Sequence, residues 1–412
     1  MTGAVESVDV AGAVPQSPSR AWLTVLLCCL ASMAEGFDIQ SMGVAAPGMA
    51  PALHLTRDQL GPAFSASTVG LLFGAIIVGA LADRIGRKWA LIGSLAIFGA
   101  FSLITPYAPD LTFLLAIRFL AGLGLGGAMP NFVALAGESV TDARRAQFVA
   151  ISAAAMPLGG AVASAVAAWL PWRAVFQVGG GWPLLLAAAM AAALPESAKF
   201  LAARQAATRE SGPDPLRALF GEGRAISSLL LWTAAFCALL VLFLMLNWLP
   251  LLLAAKGVRK PDAAIVQLLF NLGGAAGALG VAWLFYGQRR AATLSVWFAG
   301  IGLGVMLLAL APPILLASGL AGLVAGTFVS STPTALYALS SDFYAVEMRA
   351  TGLGGVIGFG RIGAILGPLL AGALLAHGKD ANGVLMALPP FVAAGALATF
   401  LALPRRPAQT EG

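Results

Sequence analysis

Long apolar runs separated by short polar stretches divide the chain into candidate membrane-spanning helices. Each run is close to or above the ~20 residues that an α-helix needs to cross the hydrocarbon of a bilayer. Pro312 and Pro313 alone separate the ninth run from the tenth. The pattern predicts an all-α membrane protein with twelve transmembrane helices, at 21–47, 60–82, 89–107, 111–137, 147–170, 175–194, 226–253, 262–285, 291–311, 313–341, 351–376 and 381–403.

A polar stretch rich in Arg, Glu, Ser, Gly and Pro divides these spans six and six. Near the end of the fourth span of each half an acid stands seven residues before an arginine, as Glu138 with Arg145 and as Asp342 with Arg349. The repeat predicts two pseudo-symmetric six-helix bundles. The expected organisation is an N-terminal tail (1–20), a first bundle (21–195), a linker (196–225), a second bundle (226–404) and a C-terminal tail (405–412).

The cations predict the orientation of the helices. One set of alternate loops, which includes both tails and the linker, holds sixteen of the 24 Lys and Arg residues, while the other set holds six. Loops with an excess of cations face the cytoplasm. Both termini and the linker are therefore predicted to be cytoplasmic, and the net charge of +6 reflects topology and does not indicate a nucleic-acid partner.

Composition agrees with this class of protein, since hydrophobic residues make up 59% of the chain and charged residues 10%, far from the values of soluble domains. We find no nucleotide-binding loop, metal-ligand cluster or nucleophile motif, and we expect no cofactor and no enzymatic activity. The lipid bilayer is an expected partner, and the expected state is a monomer.

The loop between spans 2 and 3 reads GALADRIGRK at 79–88. It resembles the signature loop of the major facilitator superfamily, with Asp83, Arg84, Gly86 and Arg87 in register. The resemblance implies that this loop and the charges at the ends of spans 4 and 10 take part in gating. The corresponding second-half segment, WLFYGQRRAA at 283–292, keeps cations but has no acid, so we expect the gating contact to rest on Asp83.

Four charged residues lie inside predicted spans, where a charge near the bilayer centre costs ~2.5–3.5 kcal/mol on insertion scales. Glu35 and Asp38 share one face of span 1. At a rise of ~1.5 Å per residue, Asp38 and Arg118 lie at similar depths, ~10–14 Å below the outer surface, and Arg361 lies ~15 Å from the cytoplasmic side. These charges either form structural pairs that lock helices together or serve transport.

Arg361 has no acid at its depth in the second half, and a planar guanidinium can bind a carboxylate through two hydrogen bonds. It is the candidate substrate-binding residue. Asn247 and Tyr337 are candidates for hydrogen bonds to a ring hydroxyl, and Trp248 is a candidate for stacking on a ring, with ordinary helix packing as the alternative for each. We expect Gly122, Gly126, Gly363 and Gly367 to serve close helix packing.

Within the superfamily the chain resembles the aromatic acid:proton symporters, and most of all their hydroxyphenylpropionate branch. The segments that carry the resemblance include EGFDIQ (35–40), GALADRIGRK (79–88), RFLAGLGLGGAMPN (118–131) and GRIGAILGPLLAG (360–372). It implies import of an aromatic carboxylate with protons. It also implies that Asp38 carries the coupling proton, with Glu35 as a relay and Arg118 as the opposing charge.

Two other functions are weighed against this one. A drug or metabolite antiporter of the same superfamily would carry a Gly- and Pro-rich motif in helix 5, and span 5 offers Pro157, Gly159 and Gly160 without the leading glycines. A membrane enzyme or sensor would need a catalytic motif or a soluble signalling domain, and the sequence shows neither. Transport of an aromatic acid remains the leading hypothesis.

Overall fold

The computed structural model describes residues 18–139, 142–197, 200, 219–221, 224–284, 290–344 and 348–402. The first half contains α1 (Pro18–Ala52), α2 (Arg57–Ile85), α3 (Arg87–Ile104), α4 (Leu111–Ser139), α5 (Asp142–Trp169) and α6 (Trp172–Ala193). A single 3₁₀ turn, Thr105–Tyr107, follows α3. The second half contains α7 (Ala225–Ala255), α8 (Lys260–Leu284), α9 (Arg290–Leu310), α10 (Leu315–Val329), α11 (Thr332–Phe343), α12 (Arg349–Ala376), α13 (Ala381–Leu385) and α14 (Pro389–Ala402).

The predicted fold class is confirmed. In the part of the chain that the structure describes, eleven spans are long and apolar enough to cross a membrane, and α5 contributes a shorter apolar stretch, Ala154–Trp169. The split at Pro312 and Pro313 is present, because α9 ends at Leu310 and α10 begins at Leu315. The tails at 1–17 and 403–412, and most of the predicted linker, lie outside the described residues.

The main differences between the predicted and observed helix boundaries occur near prolines. We expected span 1 to end at residue 47, but α1 continues through Pro47 and Pro51 to Ala52. Membrane helices tolerate proline where neighbouring helices support the freed backbone groups. The tenth span is broken between α10 and α11, with a proline in the first turn of α11. The twelfth is broken between α13 and α14, where α14 begins with two prolines.

Helix α2 begins three residues before its predicted start. Thr56 and Gln59 form a capping box there, in which the Gln59 side chain accepts a hydrogen bond from the Thr56 backbone N–H at 3.0 Å. Such a cap satisfies backbone donors that would otherwise lack partners at a helix start. The charged residues Arg57 and Asp58 therefore belong to the helix and not to the loop.

We call the end of the molecule with loops 53–56 and 256–259 the distal end, and the end where α1 starts the proximal end. The two halves pack together through α1 with α7, α2 with α12, and α5 with α8. Near the distal end the Ser65 hydroxyl donates to the Ile365 carbonyl at 2.8 Å. A Cβ atom added to Gly61 would lie 3.2 Å from the Pro368 carbonyl oxygen. The distal ends of the halves are therefore in close contact.

Candidate functional site

A buried ion pair joins α1 to α4. The Arg118 guanidinium donates to both carboxylate oxygens of Asp38, at 3.0 Å and 3.2 Å, and both side chains are about 1% exposed. The Ser102 hydroxyl donates to Asp38 at 2.7 Å, and Arg118 also donates to the Ser67 hydroxyl at 3.1 Å. Four helices of the first half thus meet at one carboxylate–guanidinium pair, in which Asp38 and Arg118 lie at one level, as their estimated depths indicated.

Small residues allow this approach. A side chain at Gly122 of α4 would collide with the Ser67 carbonyl of α2, and one at Gly126 would collide with the Leu71 carbonyl. In the second half Gly363 and Gly367 of α12 lie in the same way against the α7 backbone. Helices in a membrane associate closely where such small residues meet. The packing role that the sequence predicted for these four glycines is confirmed.

Glu35 lies one turn from Asp38 toward the proximal end of α1 and is 2% exposed. Its Oε1 atom is buried and has no hydrogen-bond partner among the described residues. It interacts electrostatically with Arg361 as well as with Asp38. A buried carboxylate without hydrogen bonds is costly, so the arginine of the other half offsets part of this cost.

Arg361 projects from α12 into the space between the halves and is 9% exposed. Its Nη2 atom lies 3.9 Å from the Met129 sulfur of α4, and Tyr337, half-buried on α11, is within its electrostatic range. The sequence analysis looked for an acid opposite Arg361 in the second half only. In the structure an acid of the first half, Glu35, lies within electrostatic range of Arg361 without a direct ion pair to it, and sequence depth could not reveal this.

Trp248 and Asn247, the other two candidates for contact with the ring of a substrate, are packed where the two halves meet. Trp248 is 1% exposed. Its indole N–H donates to the Pro368 carbonyl at 3.0 Å, and its ring meets Phe64 of α2 edge to face, with centroids 5.1 Å apart. Asn247 is 2% exposed and donates to the Phe243 carbonyl of its own helix at 2.8 Å. In this state the packing interpretation fits both residues better than contact with a ligand.

A polar cluster that the sequence analysis missed lies between the halves. Gln40 of α1 exchanges hydrogen bonds with Asn271 of α8, at 2.9 Å and 2.8 Å, and accepts one from Gln267 at 3.1 Å. Asn271 also reaches the Ser164 hydroxyl of α5 at 3.4 Å. One feature of the sequence could have indicated this cluster. Gln267 and Asn271 are four residues apart, so their amides lie on one face of an otherwise apolar helix.

The partial helix-5 motif has a packing explanation. A side chain at Gly159 would collide with the Met33 carbonyl of α1, and one at Gly160 would collide with the Gln40 amide. Pro157 lies near the position that a Gly274 side chain would occupy on α8. These residues allow α5 to approach α1 and α8, and they give no independent support to the antiporter.

Several of the expected gating groups cannot be placed. Arg84 and Arg349 are exposed and Arg87 is half-buried. The side chains of the remaining expected gating residues lie outside the described part of the structure: Asp83, Glu138, Arg145 and Asp342. Their gating roles stay predictions.

The structure adds a contact at the GALADRIGRK loop. Gly86 has φ of 98°, a conformation that side chains disfavour, and a side chain there would collide with the Glu196 carboxylate. Glu196 accepts a hydrogen bond from the Lys88 backbone N–H at 3.0 Å. Lys88 in turn donates from Nζ to the Ala191 carbonyl at 3.0 Å. The loop is thereby fixed to the end of α6.

Comparison with known proteins agrees with this architecture. Residues 28–285 match the family model of the Major Facilitator Superfamily. The chain is 42% identical over 395 residues to the 3-(3-hydroxy-phenyl)propionate transporter of Escherichia coli (strain K12), covering 95% of this chain and 96% of the relative. It is 35% identical to the gallate transporter of Pseudomonas putida, covering 95% and 94% of the two chains. It is 34% identical to the 4-hydroxybenzoate transporter PcaK of Pseudomonas putida, covering 93% of each.

Solved structures support the fold. A bacterial homolog of the human lysosomal transporter Spinster, in an inward-facing and unoccupied conformation, superposes with a TM-score of 0.74 at 18% identity, covering 96% of this chain and 100% of that chain. The xylose transporter XylE from E. coli, in a partially occluded inward open conformation, also gives 0.74, at 16% identity, covering 96% and 99%. At such identities the likeness concerns the fold alone.

Membrane-spanning helices in two packed halves, together with transporter relatives aligned over more than nine-tenths of the chain, define a multi-pass membrane transporter. The chain belongs to the major facilitator superfamily.

Proposed function

We propose that this protein imports an aromatic carboxylate together with protons, by alternating access, across the inner membrane of a bacterium. The observation that carries the proposal is the pair of buried opposite charges, Glu35 on one half and Arg361 on the other. The names of the relatives supply the class of solute, since they are transporters of aromatic acids. Opposed charges between two bundles are suited to bind an anion and to respond when the bundles move.

Arg361 binds the substrate carboxylate in this proposal. The substrate replaces Glu35 as the negative charge beside the guanidinium, and a carboxylate can accept two parallel hydrogen bonds from it. Tyr337, beside Arg361 and half-buried, is placed to meet a polar group of the same ligand. Asn247 and Trp248 belong to the distal contact in this state, and we do not assign them to the ring.

Alternating access is supported by the contacts that close the distal end between the halves. Among the described residues, the Gln40 amides, the Ser65 hydrogen bond and the Phe64–Trp248 pair join the halves toward the distal end. Near the centre, the Met129 sulfur faces Arg361 at 3.9 Å. A transporter that is closed at one end exposes its central site at the other end. Rocking of the two halves then reverses which end is open.

Transport by purified protein in liposomes tests the function. With the outside made acidic relative to the lumen, labelled 3-(3-hydroxyphenyl)propionate, gallate or 4-hydroxybenzoate should accumulate, and a protonophore should abolish the accumulation. The amide analogue of each acid is the matched control, because it keeps the ring but lacks the carboxylate. Expulsion of cationic drugs without movement of any aromatic acid would instead establish the antiporter.

Reporter fusions test the predicted topology. A reporter joined after residue 222 and one joined after residue 404 should both report the cytoplasm, because the cation-rich loops lie on that side. A fusion after residue 55, in a loop of the cation-poor set, is the control and should report the opposite side. A periplasmic signal at 222 or 404 would invalidate the assigned orientation.

A further inference from the structure

We propose that Gln40, Gln267 and Asn271 form an uncharged latch that holds the two halves together at the distal side and exchanges its hydrogen bonds for water when that side opens. The proposal rests on the alternating-access part of the proposed function. It concerns residues outside the charged site, and it can be tested without any substrate.

The geometry places the latch across the interface between the halves. Gln40 is the central member, because both ends of its amide are used: Nε2 donates to Asn271 Oδ1, and Oε1 accepts from Asn271 and Gln267. Gln40 is 3% exposed, Asn271 1% and Gln267 0%. These three bonds join α1 of the first half to α8 of the second half, so the halves cannot separate there without breaking all of them.

The surroundings are shaped for this contact. Asn271 is oriented by its own helix, since Nδ2 also donates to the Gln267 carbonyl at 3.0 Å. The Ser164 hydroxyl of α5 lies 3.4 Å from the same nitrogen. Gly160 leaves the space that the Gln40 amide occupies. The α8 backbone therefore orients Asn271, and residues of α5 in the first half shape the space around the two amides.

The chemistry of the cluster suits a contact that must open. An amide hydrogen bond replaced by a bond to water changes the free energy little, whereas separation of a buried ion pair exposes or strands a charge. Gln267 Oε1 is buried without a hydrogen-bond partner among the described residues, and an unpaired buried acceptor disfavours the closed state. Water can supply that missing bond when the distal side opens. The latch is therefore strong enough to direct the closure of the halves and weak enough to release them.

Cysteine labelling in detergent tests the latch and does not depend on membrane orientation. The reporter is Ser65→Cys, because Ser65 is 3% exposed and lies at the contact of α2 with α12. Cys28, Cys29 and Cys237 are replaced by alanine, and all variants are compared in that background. The rate of reaction with a small maleimide measures how often the distal contact opens.

We expect Gln40→Met and Asn271→Leu each to raise this rate by about tenfold, because each leaves a buried amide without its partner in the closed state only. Thr399→Val is the matched control. Thr399 is equally buried, but its hydrogen bond stays within its own helix, so the labelling rate should not change.

A length swap separates a latch from a general structural role. Gln40→Asn and Asn271→Gln should each accelerate labelling, because one side chain becomes too short or the other too long. The double variant keeps the summed length of the two amides and should return the rate toward that of the parent. Such rescue is the signature of a direct contact between the two positions.

The outcomes distinguish this proposal from the proposed function. Unchanged labelling in Gln40→Met and Asn271→Leu would disprove the latch whatever the protein transports. Unchanged labelling together with altered preference between hydroxylated and unhydroxylated acids would reassign the amides to substrate binding and also disprove the latch. Faster labelling in a protein that moves no aromatic acid would support the latch while the proposed substrate fails.

Discussion

Arg361→Ala should reduce the affinity for the aromatic acid by at least about 30-fold, measured as equilibrium binding of the labelled acid to purified protein. Arg361 is almost fully buried, and its guanidinium is the positive charge that opposes Glu35 between the halves. Removing one partner of a buried charge pair costs ~2–5 kcal/mol, and each ~1.4 kcal/mol is a tenfold change in affinity. A substrate carboxylate that relies on Arg361 would lose this interaction.

The variant also leaves Glu35 buried without its counter-charge, which would destabilise the protein by itself. The double variant Arg361→Ala with Glu35→Gln removes that burden and should be folded yet unable to bind tightly. Arg361→Lys keeps a charge but loses the planar fork, so its affinity should fall between those of the parent and the alanine variant. Parent-like affinity in the folded double variant would show that Arg361 is structural.

The sequence predicted the fold well because hydrophobic length alone marks a membrane helix. Its errors occur where chain geometry depends on neighbours. The helix α1 continues past Pro47, where neighbouring helices can support the freed backbone groups. The tenth span breaks between Val329 and Thr332, within the polar segment SSTPT at 330–334. Hydropathy averaged over a whole span hides such a short polar segment, and it does not reveal whether a proline will end a helix.

The sequence predicted the candidate site in part. Depth along a helix follows from residue count, which brought Asp38 and Arg118 to one level, and the structure shows that the two side chains are in contact. Rotation of a helix and the identity of its neighbours in the other half do not follow from residue count. For this reason the sequence did not reveal that Glu35 lies within electrostatic range of Arg361. It left Trp248 open between stacking on a ring and helix packing, and in the structure the ring packs against Phe64.

Uncharged polar groups were the hardest to predict. A charge in an apolar span is costly enough to draw attention, whereas a glutamine or serine is common in ordinary helix packing. Gln40 stands two residues after Asp38 and became informative only when the structure placed it against Asn271. Ser67 and Ser102 likewise acquired a role through their bonds to the Asp38–Arg118 pair.

The second large effect is expected at Asp38. Apolar surroundings favour the neutral form of a carboxyl group, and an adjacent guanidinium favours the anion. In this structure Arg118 donates to both oxygens of Asp38. If movement of α1 against α4 separates the pair during transport, Asp38 gains a proton, and it releases the proton when the pair re-forms.

Asp38→Asn mimics the protonated acid permanently and should therefore abolish accumulation of substrate against its gradient. Exchange of labelled for unlabelled acid should persist, because exchange needs no net movement of protons, and its persistence shows that the variant is folded. Both are measured in liposomes. The control is Asp58→Asn, which removes an exposed carboxylate in the first turn of α2 and should leave accumulation of the acid normal.

If Asp38→Asn still concentrates the acid in response to a proton gradient, Asp38 does not carry the proton. Glu35, the neighbouring carboxylate with an unpaired oxygen, then becomes the candidate proton carrier. In that case Glu35→Gln should lose accumulation of the acid but keep exchange.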